Sequence, residues 1–163
     1  MIIRKLVLFG IMALLALAGC EKDNPVSTEK TPFVISTKID SAWNISGNEK
    51  YLVEVKADDP QGVSDLKTAQ LTIIDSQENI IFQDSLFDDG GAQSSGSGDL
   101  IANDGVFRNQ YQATQITSNP GLYYFQIVVE DKEGNQSVIA GDTVEFSLSS
   151  PLLLTSAWSP DSL

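Results

Sequence analysis

The chain has 163 residues carrying 22 Asp and Glu against 10 Lys and Arg, one cysteine and no histidine, for a formal charge of −12. Without an imidazole, a Ser-His-Asp triad, a Cys-His dyad, a histidine metal site and a histidine pH switch are all excluded. Without Lys and Arg clusters, so is binding to a nucleic acid, whose affinity comes from counterions released by such clusters.

The chain opens with Arg4 and Lys5, continues with an apolar run of 13 residues over 6–18, and places small residues before Cys20. A helix needs about 20 residues to span a bilayer, so residues 1–19 read as a cleaved signal rather than a membrane span. Leu17-Ala18-Gly19-Cys20 resembles the lipobox of bacterial lipoproteins. That resemblance implies that the Cys20 thiol receives a diacylglycerol, that the signal is cut before it, and that the new amine takes an acyl chain such as palmitate. A plain secretory signal with an incidental buried cysteine is the alternative. The lone thiol favours lipidation, because it has no partner for an intramolecular disulfide. Each buried methylene contributes about 0.8 kcal/mol, so more than one acyl chain holds the protein on a membrane without a span.

Loss of residues 1–19 removes Arg4 and Lys5 and no acid, taking the formal charge from −12 to −14. An anionic body is pushed away from an anionic membrane surface. Beyond Cys20, residues 21–31 are polar, contain Pro25 and lack an apolar period, so residues 20–31 read as the lipidated cysteine and a flexible tether. Glu21 stands where an Asp would resemble the inner-membrane retention signal of some Gram-negative bacteria. The expected address is therefore the bacterial cell envelope, with the outer membrane favoured. Lys22-Asp23 is also a short match to the acidic surface-export tags of Bacteroidetes lipoproteins.

The folded domain is expected over 32–149. From Pro32 onward apolar residues recur at period two, with Gly, Asn, Asp and Pro between the runs, which is the all-β pattern. Seven strands are expected near 33–39, 50–57, 67–75, 79–87, 106–114, 121–130 and 136–148. Tyr51, Val53 and Val55 share one face, as do Ala69, Leu71 and Ile73, then Tyr123, Phe125, Ile127 and Val129, and finally Val144, Phe146 and Leu148. Seven short strands with one apolar face each cannot bury themselves as a single sheet. The expected fold is an all-β, seven-stranded immunoglobulin-like β-sandwich, with a small barrel as the alternative. Pro120-Gly121-Leu122-Tyr123 resembles the tyrosine corner of such sandwiches, and Asp131-Lys132-Glu133-Gly134-Asn135 resembles the D-x-x-G-N turn of bacterial Ig-like and fibronectin-type modules. An ordinary turn and a core tyrosine explain the same residues.

Asp88-Asp89-Gly90-Gly91, then Gly98-Asp99, then Asn103-Asp104-Gly105-Val106-Phe107 resemble the D-D-G, G-D, D-G-V-(Y/F) signature of bacterial cell-surface Ig-like domains, including choice-of-anchor X domains. The resemblance covers roughly residues 33–148 and speaks to domain type, not activity. This chain lengthens the middle of the loop with residues 93–97. Two accounts fit the acids. In the structural one, glycines permit positive φ and Asp or Asn side chains cap their own turns. In the other, Asp88, Asp89, Asp99, Asn103 and Asp104 supply oxygens to a calcium ion, although the spacing is not that of an EF-hand.

If the strands alternate in direction, three loops emerge at one end. They carry Asp58, Asp59 and Asp65; Asp88, Asp89, Asp99 and Asp104; and Glu130, Asp131 and Glu133. Two carboxylates about 4 Å apart repel by roughly 4 kcal/mol at an effective dielectric near 20, so these groups either splay into water or share a cation. The tether is expected to leave from the same end.

Two carboxylates can run glycoside hydrolysis, but these acids sit in Gly-rich turns without the apolar surroundings that would separate an acid from a base. No P-loop, dinucleotide fingerprint, Cys pair or metal-His spacing is present. The expected role is non-catalytic: an envelope module presenting loops or a sheet edge to another envelope or extracellular protein. The alternative is a carbohydrate-binding module using Trp43, Tyr124 and Trp158 as stacking platforms for a glycan, against which Trp43 is also expected as a plug at the end of the sandwich. Residues 150–163 form an apolar tail containing Leu152, Leu153, Leu154 and Trp158, suited to cover the sandwich, to pair as an extra strand or to dock on a partner.

Overall fold

The structure is a computed structural model that describes residues 30–92 and 96–148. Residues 1–29, where the signal, Cys20 and most of the tether are expected, residues 93–95, and residues 149–163, which include the expected tail and Trp158, lie outside the described residues.

Two sheets pack face to face. The first contains β1 (Phe33–Ile39), β3 (Lys50–Asp58) and β6 (Val106–Gln112) in the order β1-β3-β6. The second contains β2 (Ala42–Asn44), β4 (Leu66–Ile74), β5 (Ile80–Leu86), β7 (Gly121–Asp131) and β8 (Ala140–Ser147) in the order β2-β8-β7-β4-β5. All pairs are antiparallel except β2 with β8. Helix is confined among the described residues to one turn of α1 (Ala113–Ile116) and a 3-10 turn at Val63–Asp65. The two-layer sandwich with immunoglobulin-like strand order is the expected fold, and the barrel is set aside because the strands fall into two sheets, which among the described residues share one isolated bridge, Phe87 to Arg108, and no continuous ladder.

The period-two pattern located the core correctly. Val53, Val55, Ala69, Leu71, Ile73, Phe125, Ile127, Val129, Val144 and Phe146 are all buried between the sheets. Alternation puts the intervening residues on outer faces, where the Glu54 carboxylate takes a hydrogen bond from Arg108 Nε at 2.6 Å.

Three details differ from the expectation. First, residues 42–44 form an eighth strand, too short to show a period, which carries the chain from the edge of one sheet to the edge of the other. Second, the last strand begins at Ala140 rather than near 136: Ser137 turns its hydroxyl to accept the Val129 amide at 3.1 Å, and Val138 and Ile139 stand exposed in the loop. Third, Leu148 lies beyond β8 and is exposed, so it does not share the core with Phe146.

The tyrosine corner is formed. Tyr123 donates its hydroxyl proton to the Asn119 carbonyl at 3.0 Å, four residues back along the chain, and lies 3.4 Å from the Thr117 hydroxyl.

Candidate metal site at the acidic pole

Strand register decides what the loops do. Leu66 at the start of β4 pairs with Asp131 at the end of β7, and Lys56 near the end of β3 pairs with Val106 at the start of β6. Phe87, just past β5, bridges to Arg108. The β3–β4, β5–β6 and β7–β8 loops therefore emerge at one pole, as alternation predicts. Phe33 pairs with Asp58, so β1 also begins at this pole, while Ser147 ends β8 at the other, opposite Asn44.

Within the 87–105 loop the two halves converge despite the lengthened middle. The Asp88 carboxylate accepts the Asp104 amide at 3.2 Å and the Gly105 amide at 2.9 Å. Asp99 accepts the Gly90 amide at 2.6 Å, Asp89 accepts Gly91 at 2.7 Å, and Asp104 accepts Val106 at 3.0 Å. Gly105 sits at φ +79°, where its carbonyl accepts the Ala57 amide at 2.9 Å and ties the loop to β3. Asp88, Asp99 and Asp104 come together, each offering an oxygen within 4.8 Å of the others. Asp89 is not in that group of acids; the Asn103 backbone, at φ +60°, donates its amide to the Asp88 carbonyl. Each member of the group thus has a capping role, and Arg108 already supplies positive charge, its guanidinium 3.5 Å from Asp99 and 2.6 Å from Glu54. Burial, with the charges of Asp104 and Asp99 added, holds the Asp88 pKa above the ordinary carboxylate value in spite of the hydrogen bonds from Gly105 and Asp104.

A second group lies beside it. Asp59, Asp65 and Asp131 also bring one oxygen each within 4.8 Å of one another. The sequence places all three at the pole but does not single them out as ligands. Asp131 ends β7 and is fully buried; Asn135, four residues on, donates its backbone amide to one carboxylate oxygen at 2.8 Å and its side-chain amide to the other at 2.7 Å. Desolvation would raise the Asp131 pKa, but the hydrogen bonds from Asn135, Glu133 and Gly134 outweigh it and hold the pKa below the ordinary value. Asp59 is 4% exposed; its Oδ1 accepts the Gln61 amide at 2.7 Å, and its Oδ2 has no hydrogen-bond partner. Asp65 is half-buried, and its carbonyl accepts the Lys132 amide at 2.9 Å, joining the β3–β4 loop to the β7–β8 turn.

The aromatic candidates fare unevenly. Trp43 is fully buried, its indole N–H donating to the Asp40 carbonyl at 2.9 Å and its ring stacked on Tyr51 with centroids 4.6 Å apart. It is core, edge-on to Phe125 at 5.2 Å, and offers no face to a sugar. Tyr124 is 43% exposed on the outer face of β7, and Trp158 lies outside the described residues.

No family model and no curated protein matches the chain. Among solved structures it is similar to the PKD domain of an M14-like peptidase from Thermoplasmatales archaeon SCGC AB-540-F20, at 12% identity and a TM-score of 0.39, over 71% of this chain and 94% of that one. It is also similar to fibronectin(III)-like modules of Clostridium thermocellum CbhA, at 16% identity and a TM-score of 0.38, over 72% of this chain and 46% of that one. A third is the PmoD soluble domain from Methylocystis sp. ATCC 49242 (Rockwell), at 13% identity and a TM-score of 0.38, over 66% of this chain and 78% of that one. The sandwich assignment rests on the strand order itself.

Proposed function

We propose that this chain is a non-catalytic lipoprotein of the bacterial cell envelope, anchored through Cys20, whose sandwich is an interaction module for another envelope or extracellular protein. The observation that carries the reading is the polarity of the sandwich: β1 starts at the acidic pole and β8 ends at the opposite one. A tether running from Cys20 to β1 then joins the membrane to the acidic pole, and the far pole points into the aqueous space. Repulsion between the clustered carboxylates and anionic headgroups holds the domain off the surface within the reach of the tether.

The surface best suited to a protein partner is the edge of the second sheet. β5 is paired on one side only, to β4, until the Phe87–Arg108 bridge just past its end, and Gln83 is exposed along it. Such an edge extends by strand addition, in which backbone hydrogen bonds supply the affinity.

Both parts are tested in a Gram-negative host. Metabolic labelling with an alkyne fatty acid should mark the mature chain and sediment it with membranes, and Cys20→Ser should abolish both. A mature chain that is unlabelled and soluble overturns the anchor. A photo-crosslinking residue at position 83 should yield a discrete adduct with one envelope protein; a uniform smear, or no adduct, removes β5 as the interaction edge.

A further inference from the structure

We propose that Asp59, Asp65 and Asp131 form a calcium-binding site that staples the β3–β4 loop to the β7–β8 turn. This goes beyond the anchoring and interaction roles above and stands whether or not they hold. Calcium takes six to eight oxygens at about 2.3–2.6 Å. Two oxygens bound to one ion at 2.4 Å are at most twice that distance apart, and the three carboxylate oxygens here all lie within 4.8 Å of one another. Any pair of them can therefore meet the same ion, with water completing the shell from the half-buried Asp65 side.

Three further observations separate this group from an ordinary acidic surface. Asp59 is all but enclosed, yet its Oδ2 has no donor, and a buried carboxylate oxygen left without one is strongly unfavourable unless a cation or a proton meets it. No cation among the described residues pairs with it: their ion pairs join Lys30 to Glu133, Lys67 to Glu130, and Arg108 to Glu54 and Asp99. Lys132, the next residue after Asp131, turns its ammonium to the Ser64 carbonyl. Finally, Asp131 is oriented by Asn135 through both oxygens, which fixes the carboxylate before any ion arrives.

The Asp88, Asp99 and Asp104 group differs in two respects: none of its carboxylate oxygens is buried without a partner, each member accepting an amide of its own loop, and the Arg108 guanidinium stands 3.5 Å from Asp99. Three carboxylates with water access at Asp65 suit calcium, whose coordination is irregular, better than magnesium, which demands a near-ideal octahedron at about 2.0–2.1 Å and dehydrates reluctantly. The ion would hold together the crossover between the two sheets and the turn beside which Lys30 brings the chain in, since Asn135 also donates to the Lys30 carbonyl at 3.4 Å.

The test uses the full chain in detergent, stripped with chelator and titrated with calcium chloride by calorimetry, with thermal unfolding in parallel. The wild type should bind calcium, and its melting temperature should rise by more than about 5 °C at saturation. Asp59→Asn and Asp65→Asn should each weaken binding at least tenfold, while Asp99→Asn binds as the wild type does. Asp131→Asn also disturbs the turn, so Asp65→Asn, at the half-exposed position, carries the result if a buried variant fails to fold. A wild type whose unfolding curves with calcium and with chelator superimpose overturns the inference. So does binding lost in Asp99→Asn and retained in Asp65→Asn, which would move the ion to the neighbouring loop.

Discussion

Asp131 and Asn135 are bound to each other twice, the Asn135 backbone amide to one carboxylate oxygen at 2.8 Å and its side-chain amide to the other at 2.7 Å. The β4–β5 hairpin at the opposite pole repeats the device: Asp75 accepts the Asn79 backbone amide at 2.9 Å and its side-chain amide at 3.0 Å. An aspartate followed four residues later by an asparagine closes a turn at each pole. The position before the asparagine takes positive φ in both, Gly134 at +89° and Glu78 at +65°.

The exposed copy gives a pH prediction free of any metal. Hydrogen bonds from the Asn79 side chain and backbone hold the Asp75 pKa below its ordinary value of 3.8. A depressed carboxylate contributes stability that is present above the unfolded value and lost as pH falls through the folded one. Asn79→Ala should return the Asp75 pKa toward 3.8, read by carboxyl-detected NMR titration, and the stability gap to the wild type should close at pH below the folded pKa. A gap that widens on acidification contradicts the pairing.

Tyr123→Phe removes the bond to the Asn119 carbonyl while keeping the ring against Phe146, whose centroid is 4.9 Å away. The expected loss is about 0.5–1.5 kcal/mol, the usual net value of one intramolecular hydrogen bond. Chemical denaturation should show a lower midpoint with an unchanged slope; an unchanged midpoint means that the corner contributes no net stability.

Trp43 is the largest fully buried side chain among the described residues, and among them its truncation should be the most damaging single change. Trp43→Ala should cost about 3–5 kcal/mol, a large share of the roughly 5–15 kcal/mol that stabilises a domain. Its thermal transition should fall steeply or vanish, with Trp43→Phe intermediate. Loss of ligand binding in Trp43→Ala would then report unfolding, so a glycan platform is better tested at Tyr124.

At Gly105 two constraints coincide. Its φ is +79°, and a Cβ there would stand 2.6 Å from the Ala57 carbonyl oxygen. Gly105→Ala should destabilise the domain by more than about 1 kcal/mol, since the left-handed conformation alone costs that much and the β3 contact must also yield. Equal melting temperatures for variant and wild type would show that the loop relaxes away from β3.

The glycine of the D-G-V segment, the DKEGN turn and the inward residues of β3, β4 and β7 were legible as local features, because period-two burial and positive-φ turns leave marks within a few residues. The β2 strand was not: three residues show no alternation, and Ala42–Asn44 becomes a strand only because β8 offers it a parallel edge. Burial of Trp43 was expected, as a plug of the sandwich, but its partners were not, because only β2 sets its ring between Tyr51 and Phe125.

By itself the sequence determined a histidine-free, acidic, two-layer β domain, and the end at which its carboxylates gather, since alternation of strand direction follows from short connections. Only the tertiary structure decided which carboxylates meet. The ten loop acids are equivalent in sequence, but the Leu66–Asp131 register sets Asp131 against Asp59 and Asp65, and the 87–105 loop folds Asp99 onto Arg108 instead. Burial separates them physically: one group is neutralised by donors within its own loop, and the other leaves an enclosed oxygen on Asp59 without a partner.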